Sequence, residues 1–443
     1  MKLAVIADDL TGANDTGVQF AKKGFHTVVS LELRDEGEER IASGYGEVFV
    51  FDTDSRSAGS REAYERVAKV SRLLKSRQVD KIYKKMDSTM RGNIGAELDA
   101  VYDVFRPDFV AVAPAFPGNG RTVVDGYMYL HGKPLHETEA AKDPKTPVRE
   151  SYIPRLLAQQ TNRPIGHIGT RDLAMGFSHL QNRLSAFRRD GISYVLFDAE
   201  SDEDLALVVK LFAQTDYRVV WAGSAGLAAH LSDRNRSATQ SGPELSACRH
   251  PVLLVVGSLS GKSRLQLERV LEQADTIGFC LYPERVVGER ERKREELDRI
   301  FREAARLLEN KRENGFIRRM VLYTSDRPED REKAKETGIL FGRDSRTVSN
   351  MVAAALGEIS ARLVRHYDLN RLVLTGGDTA RQVCAHLNVR ELRLLEEVEP
   401  GIPVGALVGE DGSDQGYAVT KAGGFGSETA LVKAADILEG AIR

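Results

Sequence analysis

The sequence contains few cysteines and no excess of charge of either sign, and each shortage excludes a class of protein. The cysteines Cys248, Cys280 and Cys384 are far apart and lack the spacing of metal ligands. They exclude a disulfide scaffold and predict reduced thiols. Lysine and arginine number 63 against 65 aspartates and glutamates, a formal net charge of −2. Proteins that bind nucleic acid usually carry a basic excess, so we expect no nucleic-acid partner.

Long apolar runs are also missing. No stretch reaches the roughly 18 apolar residues that predict a membrane span. The first residues, MKLAVIADD, reach Asp8 and Asp9 before the apolar core of a signal peptide could form. We therefore expect a cytoplasmic protein that does not associate with membranes.

Short apolar runs alternate with helix-length amphipathic stretches along the 443 residues, which predicts parallel sheets covered by helices on both faces. This length exceeds what one hydrophobic core usually organises. We predict an α/β fold of two Rossmann-like domains with mainly parallel sheets and an interdomain cleft. The polar stretch 232–249 is the predicted linker between a first domain at 1–231 and a second domain at 250–443.

The predicted strands are the apolar runs 3–7, 47–51, 109–115, 218–222, 251–256, 319–323 and 371–375. The predicted helices have apolar residues at helical spacing and lie at 60–77, 93–105, 262–274, 289–312, 346–365 and 427–441.

Ligands of open α/β sheets bind beyond the carboxyl ends of the strands, so the residues after each strand are the candidate site. After the first strand, IADDLTGANDTG at 6–17 supplies the adjacent carboxylates Asp8 and Asp9 and a glycine-flanked helix start. This segment can bind an anion and a hydroxyl group, although one aspartate can instead cap the helix. Phosphatases of the haloacid-dehalogenase type need two aspartates two residues apart here, and Leu10 stands where the second would be.

Two further strand ends supply arginines. FDTDSRS at 51–57 contains Arg56, whose planar guanidinium suits a carboxylate, although a surface pair with Asp54 is the alternative. The segment 113–126, with two prolines and two glycines before Arg121, predicts a shaped loop that presents a second candidate for anion binding.

The densest polar segment is YKKMDSTMRGNIGAE at 83–97. Alternate side chains of a strand share a face, so Lys85 and Asp87 point the same way and can together bind a hydroxylated anion. A solvated loop would account for Lys84 but explains the other residues poorly.

Glycine-rich strand ends dominate the second half. In LTGGDTA at 374–380, Gly376 and Gly377 let the backbone approach a phosphate at a helix start. Asp378 can reach a phosphate-bound Mg²⁺ or cap the helix. TKAGGFGSE at 420–428 repeats the pattern.

GSLSGKS at 257–263 resembles a phosphate-binding P-loop but fails its spacing. That motif needs four residues before the Gly-Lys pair, and only three lie between Gly257 and Gly261. Lys262 is therefore interpreted as an ordinary lysine at a helix start, while Gly257 and Ser258 remain candidates for close contact with a nucleotide.

Taken together and in order, the segments quoted above resemble the four-carbon acid sugar kinases from residue 1 to about 435. The resemblance implies an ATP-dependent kinase that phosphorylates the 4-hydroxyl group of a sugar acid bound by the first domain, with nucleotide bound by the second. AKDPKTPVRES at 141–151 and TKAGGFGS at 420–427 favour D-threonate or D-erythronate as the substrate. A 3-oxo-tetronate kinase and a non-catalytic sugar-acid-binding regulator are the alternatives.

Carried over by position, the resemblance implies substrate contacts from Asp9, Arg56, Lys85, Met86, Asp87 and Ser88. It implies nucleotide contacts from Ser258, Gly376, Gly377, Asp378, Thr379 and Gly423. We expect ATP as co-substrate with Mg²⁺ bridging its phosphates, and a homodimer is the candidate assembly. Asp87 and Asp9 are the candidate proton acceptors, and we favour Asp87 because Lys85 would keep it ionised.

Overall fold

A computed structural model describes residues 3–31, 46–143, 146–232, 250–257, 260–309, 317–325 and 327–440. The chain divides into two compact units, Met1–Ser237 and Ala238–Arg443. Most of the predicted linker, 232–249, lies outside the described residues.

The first unit is built on a parallel sheet. Its strands are β1 (Leu3–Ala7), β2 (Thr27–Ser30), β3 (Val48–Asp52), β4 (Lys81–Lys85), β5 (Phe109–Ala113), β9 (Ile165–Ile168), β10 (Tyr194–Phe197) and β11 (Val219–Gly223). Their spatial order is β2-β3-β1-β4-β11-β5-β10-β9, and every adjacent pair is parallel. Every residue of β1 and β5 is buried, as expected for strands covered on both faces.

The helices of this unit are α1 (Leu10–Ala21), α2 (Ser60–Ser76), α3 (Ile94–Phe105), α4 (Ile153–Ala158), α5 (Thr170–Ala174), α6 (Phe177–Arg189), α7 (Asp202–Ala213) and α8 (Ala225–Ala228). In α2 the buried side chains Ala63, Val67, Val70 and Leu74 recur every three or four residues, which gives the helix one apolar face.

A small antiparallel sheet of β6 (Arg121–Val124), β7 (Tyr127–Leu130) and β8 (Lys133–Pro134) follows β5. The predicted strand 109–115 ends two residues early because Pro114 has no N–H group for the sheet ladder. The chain then turns into this small sheet, which begins at Arg121.

The second unit has a sheet of parallel and antiparallel strands. They are β12 (Val252–Val256), β13 (Thr276–Leu281), β14 (Arg319–Thr324), β15 (Arg371–Thr375), β16 (Val389–Glu399), β17 (Ile402–Gly409) and β18 (Asp414–Lys421). Strands β13-β14-β12-β15-β18 are neighbours in that order and parallel, while β17 pairs antiparallel with both β18 and β16.

Helices cover this sheet at α9 (Gly261–Leu271), α10 (Pro283–Val286), α11 (Arg290–Glu309), α12 (Pro328–Leu340), α13 (Ser345–Tyr367), α14 (Gly377–His386) and α15 (Ala430–Glu439). Val270 of α9 and Leu431 of α15 pack with Val252 and Val256 of β12 in one apolar core. The predicted α/β fold with mainly parallel sheets is confirmed. Among the described residues, no helix is long and apolar enough to cross a bilayer.

Candidate active site

The candidate site of the first unit lies at the carboxyl ends of β3, β1 and β4, which are adjacent strands. The chain passes from β1 to β2 and β3 on one side and then to β4 on the other. Such a reversal of strand order is where open α/β sheets bind ligands. It brings together Asp8 and Asp9 after β1, Arg56 after β3, and Lys85 and Asp87 at the end of β4.

Arg56 is the centre of this cluster. Its Nε and Nη2 donate to the two carboxylate oxygens of Asp8 at 2.7 and 3.1 Å. Its Nη1 and Nη2 donate to the carboxylate of Asp9 at 2.5 and 2.7 Å. The alternative pair with Asp54 is wrong, because Asp54 instead pairs with Arg66. Four of the five N–H groups of Arg56 are therefore engaged by the two adjacent aspartates.

Asp9 also caps α1, since its Oδ1 accepts a hydrogen bond from the N–H group of Gly12 at 2.8 Å. The helix-cap interpretation is thus correct for Asp9. It does not explain Asp8, whose carboxylate is buried against Arg56. Sequence reasoning left Asp8 out of the site, although the adjacency of the two carboxylates was the signal that both have a role.

Asp87 is held by a second arginine. Arg91 donates through Nε and Nη2 to the two carboxylate oxygens of Asp87 at 2.7 and 3.1 Å. Its Nη1 donates to Asp143 at 3.0 Å, and Arg56 Nη2 lies 3.7 Å from Asp87 Oδ1. Arg91 and Asp143 thus extend the charged cluster, and neither was among the predicted site residues.

The rest of the predicted run lies beside these groups. Lys85 is buried, and its Nζ donates to the carbonyl oxygen of Met86 at 2.8 Å. The side chain of Met86 is buried in the apolar core, so its backbone is the part that can contact a substrate. Ser88 is also buried. Arg121 is buried at the start of β6; burial lowers its pKa, and the charge of Asp87 acts in the opposite direction.

Asn93 and Gly92 fix the loop that carries Arg56. The side-chain amide of Asn93 donates to the carbonyl oxygens of Ser55, Arg56 and Ala58 at 3.0, 3.3 and 2.9 Å. Gly92 has φ of +96°, and a Cβ atom there would lie 3.1 Å from Cγ of Arg56. The position therefore requires glycine both for its backbone conformation and for the space that Arg56 occupies.

The charges of the cluster shift the pKa values of its two candidate bases in opposite directions. Burial raises the pKa of Asp9, the charges of Asp8 and Asp87 raise it further, and Arg56 only partly offsets them. Burial also raises the pKa of Asp87, but the guanidinium groups of Arg91 and Arg56 outweigh burial and hold it well below the usual range. Of the two carboxylates, Asp9 is the one with the higher proton affinity.

A buried ion pair lies beneath the cluster. Lys84 and Glu97 are 1% and 2% exposed, and Lys84 Nζ lies 2.7 Å from Glu97 Oε2. Ser55 donates to the other oxygen of Glu97 at 2.6 Å, and Lys84 also donates to the carbonyl oxygen of Lys85. The interpretation of Lys84 as part of a solvated loop is therefore wrong. The strand continues to Lys85, and Lys84 points to the face of the sheet covered by α3, where Glu97 lies.

Replacing Lys84 with methionine is expected to lower the free energy of unfolding by about 3–5 kcal/mol, because it leaves the Glu97 carboxylate buried without its counter-charge. Urea unfolding measures the effect. The double variant Lys84→Met/Glu97→Leu is the control and should recover much of the loss, since it removes both charges. A single variant that unfolds within about 1 kcal/mol of wild type would contradict the buried pair.

In the second unit, the glycine-rich segments follow β12, β15 and β18, which are adjacent parallel strands. A Cβ atom at Gly257 would lie 2.0 Å from Oγ1 of Thr379, so these two predicted residues are in contact. Gly376 has φ of +98° and donates through its N–H group to the carbonyl oxygen of Lys421 at 2.9 Å. The three segments therefore form one surface. Ser258 lies outside the described residues.

Asp378 is not the cap of α14. The cap position is Gly376, the helix begins at Gly377, and Asp378 lies in the first turn with Thr379. The capping alternative for Asp378 is therefore wrong. Gly423 lies in the loop after β18, where its carbonyl oxygen accepts a hydrogen bond from Ser263 Oγ of α9 at 2.8 Å. The amino-terminal ends of α9 and α14 add partial positive charge to this surface.

Among the described residues, no group of three histidine, cysteine, aspartate or glutamate side chains has the geometry of a metal site. The aspartates of the first unit are engaged by arginines. Of the residues predicted to contact the nucleotide, Asp378 is the one that has a carboxylate group. This is compatible with a divalent cation that arrives bound to nucleotide phosphates, since Mg²⁺ keeps most of its ligands as water and phosphate.

Both units match known domain families. Residues 3–231 match the sugar-binding N-terminal domain, and residues 253–431 match the nucleotide-binding C-terminal domain. The chain therefore combines a sugar-binding domain with a nucleotide-binding domain.

Relatives of full length define the family. The chain is 32% identical over 446 residues to a D-threonate kinase of Salmonella typhimurium, covering 99% of both chains. It is 30% identical over 451 residues to a D-erythronate kinase of Heliobacterium modesticaldum, covering 98% of this chain and 97% of the relative. A 3-oxo-tetronate kinase of Pseudomonas fluorescens is 28% identical over 448 residues, covering 99% and 97%. The chain belongs to the four-carbon acid sugar kinase family, which confirms the resemblance, and it is a phosphotransferase.

Solved structures share the fold. A crystal structure of a Salmonella typhimurium LT2 protein has a TM-score of 0.76 at 23% identity and covers 98% of both chains. A Haemophilus influenzae protein has a TM-score of 0.68 at 23% identity, covering 98% of this chain and all of the other.

Proposed function

We propose that this protein transfers the γ-phosphoryl group of ATP to the 4-hydroxyl group of D-threonate or D-erythronate. The observation that carries the proposal is the full-length match to kinases of these two acids, at 30–33% identity. The matching 3-oxo-tetronate kinases are 26–29% identical.

The chemistry of the first unit supports a hydroxylated substrate. Carboxylates such as Asp9 and Asp87 accept hydrogen bonds, and the 2- and 3-hydroxyl groups of threonate and erythronate donate them. A 3-oxo group has no proton to donate, so a 3-oxo acid can donate one hydrogen bond fewer to these carboxylates. On this ground we propose the 3-hydroxy acids rather than 3-oxo-tetronate.

Lys85 is the residue we propose for the substrate carboxylate. Its ammonium has three N–H donors, and among the described residues it donates to one acceptor, the carbonyl oxygen of Met86. Arg56 was the other candidate, but Asp8 and Asp9 occupy most of its donors. We propose that Arg56 orients the two aspartates and that Lys85 binds the acid.

We propose Asp9 as the group that accepts the proton of the attacking 4-hydroxyl. A general base is most effective when its pKa approaches the working pH. The pKa of Asp9 is raised, whereas the pKa of Asp87 is held low by two arginines. Both oxygens of Asp87 accept from Arg91, and both oxygens of Asp9 accept from Arg56, so the opposite pKa shifts are what distinguishes the two carboxylates. This reverses the preference for Asp87 drawn from the sequence.

MgATP is the proposed co-substrate, bound by the glycine-rich surface of the second unit. Gly257, Gly376 and Gly377 leave room for the backbone to approach phosphate groups, and Asp378 is the carboxylate that we propose for contact with the magnesium ion or its water ligands. Phosphoryl transfer depends mainly on alignment and charge stabilisation rather than covalent help from the protein.

A coupled assay of ADP formation tests the proposal. D-Threonate, D-erythronate, L-threonate and 3-oxo-tetronate are each supplied with MgATP, and kcat/KM is compared. We expect D-threonate or D-erythronate to exceed 3-oxo-tetronate by at least about tenfold, the effect of one lost hydrogen bond to a charged group. The Asp9→Asn variant, purified in parallel, controls for contaminating kinases. Preference for 3-oxo-tetronate, or no acid-dependent ADP formation, would overturn the proposal.

A further inference from the structure

Lys421 is a buried cation at the end of β18, next to the proposed nucleotide surface. Its side chain is 1% exposed, and its Nζ donates to the carbonyl oxygens of Ala422, Gly423 and Phe425 at 2.8, 3.1 and 3.2 Å. An ammonium group has three N–H donors, so each donor of Lys421 can be matched to one of these three carbonyl oxygens. Lys421 thus holds three carbonyl groups of the loop that follows it.

The outward face of this loop consists of N–H groups. In a trans peptide the N–H of one residue points opposite to the C=O of the residue before it. Because the carbonyl groups of Ala422, Gly423 and Phe425 point to Lys421, the N–H groups of Gly423, Gly424 and Gly426 point away from it. Among the described residues, none of these three N–H groups has an acceptor. A Cβ atom at Gly424 would meet nothing within 4 Å, so that side is open.

Because the carbonyl groups converge on Lys421 Nζ, the opposite N–H groups spread apart and can contact separate oxygen atoms of one polyphosphate chain. The loop is fixed from behind by α9, because Gln266 Nε2 donates to the carbonyl oxygens of Phe425 and Ser427 at 3.0 and 2.6 Å. Ser263 of α9 holds Gly423 in the same way. The site is therefore built from backbone that is anchored before any ligand arrives.

The surrounding charge favours an anion. Burial, and after it the charge of Lys262, lowers the pKa of Lys421 to about 7, with Glu399 acting in the opposite direction. Glu399 is itself engaged by Ser427 and Lys433. A phosphate group at the outward N–H groups would offset the two lysine charges.

We infer that Lys421 is a positioning residue for nucleotide binding: it turns the N–H groups of Gly423, Gly424 and Gly426 outward, toward the triphosphate chain of ATP. This inference rests on the proposed function, which makes ATP the co-substrate. It also reinterprets Lys262, which contributes charge to the phosphate site without belonging to a P-loop.

The test compares Lys421→Met and Lys421→Arg with wild type and with Lys335→Met, an exposed lysine of α12. Affinity for a non-hydrolysable ATP analogue with Mg²⁺ is measured by calorimetry, and KM is measured for ATP and for the sugar acid. We expect Lys421→Met to weaken analogue binding and raise the KM for ATP by about 10- to 100-fold, as for the loss of charge-assisted hydrogen bonds. The KM for the sugar acid should change less than about threefold, and Lys421→Arg should recover part of the loss.

Unchanged analogue affinity in Lys421→Met would overturn this inference alone. Wild-type protein that fails to bind the analogue would overturn the proposed function and, with it, this inference.

If Lys421→Met does not fold, proton uptake by wild type at about pH 8 remains a test, because an anion beside Lys421 raises its pKa. Calorimetry in buffers of different ionisation enthalpy should detect this uptake in wild type and not in Lys421→Arg; no uptake in wild type would contradict a phosphate at this loop.

Discussion

Replacing Asp9 with asparagine is expected to lower kcat by about 100- to 10,000-fold, the usual contribution of a general base. The asparagine oxygen can still accept the hydrogen bond of the Gly12 N–H group and one from Arg56, so α1 keeps its cap. The amide nitrogen takes the place of Oδ2, so the hydrogen bond from Arg56 Nη1 is lost, and the amide cannot accept the proton of the 4-hydroxyl group. The expected result is therefore a folded protein that binds both substrates and turns over slowly.

Steady-state kinetics and thermal unfolding of Asp9→Asn measure this effect, with Asp87→Asn as the matched control. Asp87 is held by Arg91 and is proposed to position the substrate, so its variant should raise the KM of the sugar acid more than it lowers kcat. If Asp9→Asn keeps kcat within about threefold of wild type while Asp87→Asn loses it, the base is Asp87 and the pKa argument is wrong.

The pH dependence of kcat follows from the same assignment. Asp9 accepts a proton only when it is ionised, so activity should fall as the pH decreases through its pKa. Burial and the charges of Asp8 and Asp87 raise that pKa above the ordinary value of 3.8. The acid limb of the wild-type profile should therefore lie above pH 3.8, and Asp9→Asn should lack it.

Replacing Arg56 with methionine is expected to lower the free energy of unfolding by about 3–5 kcal/mol, because it leaves Asp8 and Asp9 without their shared counter-charge. Their carboxylates would repel each other, and misplacement of the site should cost on the order of 100-fold in kcat/KM. The pKa of Asp9 should rise further, since Arg56 is the main group that lowers it. The acid limb of any remaining activity should then move to higher pH.

Urea unfolding and kinetics of Arg56→Met are compared with Arg66→Met. Arg66 lies near the same loop, pairs with the half-exposed Asp54 and Glu62, and donates to the carbonyl oxygens of Thr53 and Asp54, so its loss should cost about 1–2 kcal/mol, less than the loss of Arg56. A further variant, Arg56→Lys, keeps the positive charge but cannot make four hydrogen bonds in the same geometry, and should lose most of the activity. Equal effects of the Arg56→Met and Arg66→Met variants would contradict the central role of Arg56.

Those parallel strands that are continuous apolar runs could be predicted from the sequence, as could many of the helices that cover them. β1 and β15 match their predicted ranges, 3–7 and 371–375, residue for residue. The parallel strands β2, β9, β10 and β13 were missed, and so were β16 to β18. β16 alternates charged and apolar residues, as in VRELRLLEEVE, and lacks such a run.

The candidate site was predictable in position but not in its internal pairing. Strand ends identified Asp9, Arg56, Lys85 and Asp87, since parallel strands bring their carboxyl ends to one edge. The sequence did not reveal that Arg56 binds Asp8 and Asp9 rather than Asp54, because these choices depend on which strands become neighbours. It also did not reveal Lys421 as a buried donor, because the interpretation of segment 420–428 was based on its glycines.

The most direct measurement of the proposed reaction is ³¹P NMR of the product formed from D-threonate, or from D-erythronate, with MgATP. A phosphomonoester resonance coupled to the two C4 protons should grow in equal amount to ADP and require active enzyme. ADP and inorganic phosphate without that resonance, or an ester at another carbon, would contradict a 4-kinase.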